Sequence, residues 1–592
     1  MGQFRLSKSH RIDGDCAPAL SSVRASLKDM ARTPLFGTLQ SLIGRALWEE
    51  RNPGLGSLLE EASVLSREGS ELDRRRFLQW TLSAGAAALP MASLLRSGAG
   101  WASSGAGAQG PVSARANLAT YKSNAPVSIL GAGAAGLTAA YRLMKAGVAC
   151  EVFEASHRVG GRIFTRKGFN ADGMFIEQGA ELVDSGHAEL RALAAELNVE
   201  VEDFRAADAG LEKEVYFFRG RRLLASDVLS QLRPLGIRLA RDIAAVFPDP
   251  RKMVVNYRVF NESARRFDQM SLATYLDGMR GDVERWVLDL ISQAYTGEMG
   301  LDASEQSALG LLTLIDPETN KGLRLFGESD EAMRIKGGNS RLMDALHKAI
   351  QAKVPIHLGH ELVKWEKKNA DFTLHFSGAS GTTQTLKAEQ VLCTIPFSVL
   401  RRVHGTDGLG LSPVKSRSIR EVGYGTNSKL SLGFRDRLWR QTAGDRKGCA
   451  GMFFTDLEPQ SFWETSRLQS GQRGILCNFS GGSFGRKLNA EMIPLLLDAL
   501  EKMQPGLRDR FEQKHAIMNW SNMPWARGSY SCLKPGQFTS LHGSESEPEM
   551  QGRLLFAGEH CSQGYQGYMN GGIETGAAAA RECLIQRGKA KA

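Results

Sequence analysis

With 592 residues, 42% of them hydrophobic and 23% charged, the chain is long enough for two interlocked cores and has the balance of a globular protein rather than a disordered or polytopic one. The formal charge of +10 is spread out: residues 1–125 carry 15 Lys/Arg against 10 Asp/Glu, and no basic stripe with interleaved aromatics points to nucleic acid. Eight scattered cysteines without a CxxC pair exclude a disulfide framework, and the eleven histidines form no ligand set, so no metal is expected.

Residues 1–72 contain amphipathic helical pieces without a motif, and no role follows for this extension. Asp73-Arg74-Arg75-Arg76-Phe77-Leu78-Gln79 then precedes an Ala/Gly-rich, mildly apolar run to Leu95 and the small-residue stretch Ala106-Gly107-Ala108. Over 73–108 this resembles a twin-arginine export signal, and Pro90, Arg96 and the many small residues make a poor permanent span. Its implied partner is the twin-arginine translocation machinery, and its implied destination, reached in folded form, is the periplasm or the medium. Residues 109–125 read as a linker.

Val127, Ile129 and Leu130 lead into Gly131-Ala132-Gly133-Ala134-Ala135-Gly136, then a small-and-apolar helix to Lys145, a stop at Gly147 and a strand ending on Glu154, 18 residues after Gly136. Each glycine has its own reason: Gly131 permits the turn, Gly133 lets backbone approach a pyrophosphate, and Gly136 lets helix and strand close. Glu154 stands where a carboxylate accepts ribose hydroxyls, and Ala155 follows it. This βαβ unit predicts a dinucleotide site, for NAD or FAD alike.

Arg158-Val159-Gly160-Gly161-Arg162 adds two glycines and two guanidiniums able to wrap the same pyrophosphate. Phe175 to Asp184 repeats the strand-then-turn pattern through Gly179-Ala180-Glu181-Leu182. His357 and His360 lie in strand-like sequence beside Pro355 and Gly359 and are expected at the surface. Lys429 falls in Thr426-Asn427-Ser428-Lys429-Leu430-Ser431-Leu432, a strand whose alternation would turn it inward, and a buried lysine is costly without a task. Trp520, Pro524-Trp525 and Gly528-Ser529-Tyr530 follow, then the strand-to-acid segment Leu555-Phe556-Ala557-Gly558-Glu559. Gly567-Tyr568-Met569 opens a last small-residue helix whose N-terminal dipole favours negative charge.

From about Pro126 to Gln586 these motifs resemble the flavin-dependent amine oxidase superfamily of monoamine, polyamine and L-amino-acid oxidases. Gly337-Gly338-Asn339, Glu361-Leu362-Val363 and Val391 to Val399 match its further turns and strands. The resemblance implies an α/β fold: a Rossmann-type, GR2-like FAD-binding domain (126–205, 331–407, 520–588) interleaved with an α+β substrate-binding domain (206–330, 408–519), monoamine-oxidase-like. It implies FAD, held non-covalently because Ser529 stands where monoamine oxidases carry the flavin-linking cysteine. The implied cofactor contacts are Gly131, Gly133, Ala135, Gly136, Glu154, Ala155, Gly161, Arg162, Gly179, Ala180, Glu181, Val363, Gly558, Glu559, Gly567, Tyr568 and Met569.

The resemblance further implies that Lys429 holds a water beside flavin N5, and that Tyr530 and Tyr568 face each other across the substrate amine. Amino-acid oxidases of this superfamily place a carboxylate-binding arginine just after the second glycine turn; this chain reads Gly179-Ala180-Glu181-Leu182 there. That favours an amine, with Trp525 at the site and with Glu181 or Asp184 available to a distal ammonium. An L-amino-acid oxidase and an FAD-binding protein without turnover stay open. Oxygen or a protein acceptor would take the electrons, and a homodimer is the assembly expected.

Overall fold

Val127, Ile129 and Leu130 have almost no exposed surface, the condition of a strand covered on both faces. In the computed structural model, which describes residues 123–590 except 224, 250–251, 315–330, 379–382 and 445, this strand (Val127–Leu130) is the middle of a five-stranded parallel sheet. The order across that sheet is Leu554–Phe556, Val391–Cys393, Val127–Leu130, Cys150–Glu154, Ile356–Leu358. The extension, the export signal and nearly all of the linker lie outside the described residues.

Two helices cross this sheet at close range. A Cβ on Gly136, in helix Ala134–Lys145, would stand 1.9 Å from the Gly131 carbonyl oxygen, and one on Gly576, in the C-terminal helix Met569–Gln586, would stand 2.3 Å from that of Ala135. Only glycine permits both approaches. The helices therefore bring their N-termini to the same edge of the sheet.

The second layer is a seven-stranded sheet ordered Phe511–Asn519, Ser428–Phe434, Gly474–Ser480, Ser461–Glu464, Cys449–Thr455, Glu212–Phe218, Arg221–Leu223. Helices Ala225–Val246, Arg285–Met299 and Ala308–Leu314 cover one face through a core that includes Phe218, Trp463 and Phe479. A three-stranded sheet, Glu361–Lys368, Asp371–Ser377 and Thr383–Ala388, flanks the parallel sheet. The fold is thus mixed α/β with a parallel Rossmann-type sheet, and segments far apart in the chain alternate between the two layers. No helix among the described residues is long and apolar enough to cross a membrane.

Three local expectations change. Strand Ser428–Phe434 is buried on both faces rather than alternately, because a core with Leu430, Leu432 and Phe434 covers one face and the Glu177–Glu181 segment meets Lys429 on the other. The region after Ala206 opens with strands that join that sheet before its helices begin. His357 and His360 are half-buried: His357 stacks on Phe153 at 4.7 Å and His360 borders the central cavity.

Candidate active site

A cavity of about 500 Å³ runs from Glu154 and Val363 at one end to Lys429, Tyr530 and Tyr568 at the other. It is bordered by every residue expected from the sequence except Gly136, which serves the helix packing behind it. Gly131 has φ +106°, a conformation open to glycine, and Gly133 is extended with nothing within 4 Å of a built Cβ. Gly161 backs onto Gly133, so two bare backbone segments face the cavity. Neither helix Ala134–Lys145 nor helix Met569–Gln586 has a side-chain cap at its N-terminus. Their first N–H groups are available to anions. Val363 sits in a bulge between Leu362 and Lys364, out of register with the ladder, and borders the same cavity.

The acids and guanidiniums divide their work differently from the sequence expectation. Glu154 does stand at the cavity, its oxygens accepting from the Ala132 and Ser156 N–H groups at 2.8 and 2.9 Å. Arg158 donates to the carbonyls of Val159, Ile163 and Gly161, so it braces its own loop and leaves little for a pyrophosphate. Arg162 donates to Glu559 (2.9 Å) and to the Ser529 carbonyl (2.8 Å). Glu559 also accepts from the N–H groups of Ser531 and Gly567 and from the Ser531 hydroxyl; burial alone would raise its carboxyl, but the Arg162 charge and these hydrogen bonds hold it below the usual range. Glu559 therefore ties three chain segments together at the cavity wall.

Lys429 is only 5% exposed, which removes the alternative of an outward lysine. Its Nζ donates to Glu181 Oε2 at 2.7 Å and to the Glu177 carbonyl at 3.2 Å. Glu181 accepts as well from Trp463 Nε1 (2.9 Å) and Thr465 Oγ1 (2.7 Å). Burial alone would lower Lys429 and raise Glu181; each partner reverses the other's shift, so the lysine lies above its ordinary range and the acid below. Glu181 is thus already satisfied by protein donors, and its expected role as a lone attractant for a substrate ammonium is corrected.

Glu177, one turn away, is pushed up to about 8 by burial, with Glu181 adding to the rise and the Asn339 N–H opposing it. The unfolded chain releases this proton near pH ~4.3, so stability is full below that value and falls as pH rises towards 8. Glu177→Gln, which keeps an acceptor for Asn339, is expected to flatten the decline in melting temperature between about pH 5 and 8. An unchanged decline would show that the proton is held elsewhere.

Tyr530 and Tyr568 border the same end of the cavity, and Tyr530 Oη donates to the Glu298 carbonyl at 2.6 Å. Tyr568 lies edge-on to the buried His187 ring at 5.0 Å, and Asp184, beside His187, lines the wall. Trp525 is 36% exposed at the cavity, placing it at an opening rather than in the enclosed part. Trp463, Phe479, Asn427, Asp184 and Glu331 complete this end. Trp463, Phe479 and Glu331 carry no local motif. The Ser529 hydroxyl donates to Asn427 at 2.6 Å, so this position offers a committed hydroxyl where a flavin-linking thiol would stand.

A family model described as flavin containing amine oxidoreductase matches residues 134–584. The chain belongs to that family. Among sequence relatives of this amine oxidoreductase are the flavin-dependent L-tryptophan oxidase RebO of Lentzea aerocolonigenes, 26% identical over 484 residues covering 77% of this chain and 97% of the relative, and an L-amino-acid oxidase of Crotalus adamanteus, 24% identical over 471 residues covering 77% and 86%. Among solved structures it is similar to putrescine oxidase bound to putrescine, with TM-score 0.63, 20% identity and coverage of 78% and 99%. Cyclohexylamine oxidase from Brevibacterium oxydans IH-35A gives 0.64, 21%, 78% and 99%. At these identities the structural likeness shows the fold.

The cofactor of this family fits the cavity. The void over Gly133, the bare Gly161 loop and two uncapped helix N-termini suit a pyrophosphate, and the cavity continues far enough to take a riboflavin moiety up to Lys429 and Tyr568. The amine oxidoreductase is therefore an FAD enzyme, with no residue at position 529 able to form a thioether. No group of His, Cys, Asp and Glu residues suited to a metal occurs among the described residues.

Proposed function

We propose that this amine oxidoreductase oxidises a primary or secondary amine, with oxygen as electron acceptor. Bound FAD supplies a two-electron acceptor for the hydride on the carbon bearing nitrogen. For a primary amine the balance is amine, O2 and water giving aldehyde, ammonia and H2O2, the imine being hydrolysed after release. Tyr530 and Tyr568 orient the neutral amine between their rings, and the surrounding Trp463 and Phe479 exclude water from it. The N-terminus of helix Met569–Gln586 stabilises negative charge gained on reduction. Lys429 presents an ammonium N–H to the oxygen-reactive edge.

The observation that carries an amine rather than an amino acid is the state of the cations at the cavity. Leu182 borders it where the resembling amino-acid oxidases place their clamp, Lys429 is paired with Glu181, and Arg158 and Arg162 are committed to carbonyls and Glu559. The two other bordering arginines, Arg402 and Arg527, are exposed. The buried cation at this end, Lys429, already has a carboxylate partner in Glu181. The second reading, an L-amino-acid oxidase, is favoured by the sequence relatives. Peroxide release is expected with members of an amine panel and not with the matching L-amino acids; the reverse pattern would establish the second reading. Export in folded form through the twin-arginine machinery, to periplasm or medium, is proposed from Arg74 to Leu78 alone.

A further inference from the structure

Lys429 carries three N–H donors, and two are committed, to Glu181 Oε2 at 2.7 Å and to the Glu177 carbonyl at 3.2 Å. One is left for the cavity that the lysine borders. Glu181 is fixed with equal economy: Oε2 accepts from Lys429 and Trp463, Oε1 from Thr465, and the residue is 5% exposed. The Trp463 ring packs against the ammonium, with Nζ 5.1 Å from its centroid. The two partners are 248 residues apart, one just after the short strand Ile176–Glu177 and one on the seven-stranded sheet.

We propose that Glu181 is a positioning residue that keeps Lys429 protonated and aims its one remaining N–H at the reacting end of the cavity. The inference rests on the role given to Lys429 under the proposed function. Three ionisable side chains face the ammonium: Glu181, Glu177 from the preceding strand, and Cys477 from strand Gly474–Ser480. Burial pushes the Cys477 thiol up to about 12, so it stays neutral, and pushes Glu177 to about 8, so it stays largely protonated below that. Glu181 is therefore the counter-charge. Without it, burial in an aromatic wall, opposed only by the fraction of Glu177 that has ionised, drives the lysine towards its neutral form as pH rises.

The test uses photoreduced holoenzyme, so that no substrate is needed, and follows reoxidation by oxygen in stopped flow from about pH 6 to 9. Wild type and Glu181→Asp are expected to vary by less than about threefold, whereas Glu181→Gln is expected near wild type at the acid end and at least about tenfold slower at the alkaline end. Thermal unfolding of the apoproteins provides a readout independent of the flavin: Lys429→Met/Glu181→Gln is expected to melt above either single variant, since it leaves no lone buried charge. A Glu181→Gln profile parallel to wild type, or lowered by one factor at every pH, overturns the inference. Lys429→Met serves as the separate check on the proposed function: fast reoxidation there removes the role of the lysine itself, while slow reoxidation combined with a flat Glu181→Gln profile leaves that role standing and rejects Glu181 alone.

Discussion

Lys429→Met is expected to slow reoxidation of the reduced enzyme by about 100-fold, the usual scale for losing one preorganised donor, while changing the rate of reduction by less than about fivefold. The asymmetry follows from where the lysine sits. Its Nζ is held by Glu181 and the Glu177 carbonyl at the cavity wall, whereas Tyr530 and Tyr568 are the residues proposed to orient the amine. Removing the ammonium also strands Glu181, and an uncompensated buried charge costs about 3–5 kcal/mol. The variant will therefore be less stable, and Glu181 will tend to take up a proton. Stopped-flow half-reactions separate these effects, because general destabilisation slows both halves alike. Equal losses in reduction and reoxidation would contradict the role of Lys429.

The second large effect is expected at Gly133. A Cβ there meets nothing within 4 Å, and the backbone is extended at φ −76°, so the protein itself accommodates a branch point at this position. Gly133→Val should leave apoprotein stability within about 0.5 kcal/mol of wild type. Its methyl groups would occupy the space over the helix N-terminus that a pyrophosphate needs, and FAD affinity should fall by at least about 100-fold, or about 2.8 kcal/mol. Gly136→Ala is the informative contrast: its Cβ would lie 1.9 Å from the Gly131 carbonyl oxygen, so this change should unfold the nucleotide domain rather than empty it. Flavin retention by Gly133→Val, read from absorbance after gel filtration, would place the pyrophosphate elsewhere.

Much of this was legible in the sequence because it is local. The Gly131 to Glu154 unit names its own strand, turn, helix and acid within one βαβ span, and the five-stranded parallel sheet carries it. The inward lysine at 429 was legible from the strand around it, although layers packed on both faces bury every residue of that strand. What escaped is non-local. Glu181 looked like a lone acid on a turn, and nothing nearby in sequence reveals that Lys429, Trp463 and Thr465 converge on it. Arg158 looked like a phosphate ligand because residue type cannot show that its donors are taken by the carbonyls of its own loop. Glu559 is the same case with opposite charge: an acid at a strand end whose lone pairs are filled by Arg162, Ser531 and Gly567.

The pattern that emerges is a cofactor cleft built largely from bare backbone and a reacting end built from paired charges. Backbone accepts the dinucleotide without selecting what is oxidised; under the proposed function that selection falls to Leu182, the Lys429–Glu181 pair and the aromatic wall of Trp463, Phe479, Tyr530 and Tyr568. A neutral amine suits such a wall, and a carboxylate finds its buried cations already matched. The most direct test is anaerobic titration of the holoenzyme with amines and with L-amino acids while the flavin absorbance is followed, since bleaching reports the substrate whatever the acceptor. Bleaching by amines, with the corresponding amino acids inert, is the expected result; bleaching by amino acids alone, or by neither set, would contradict the account.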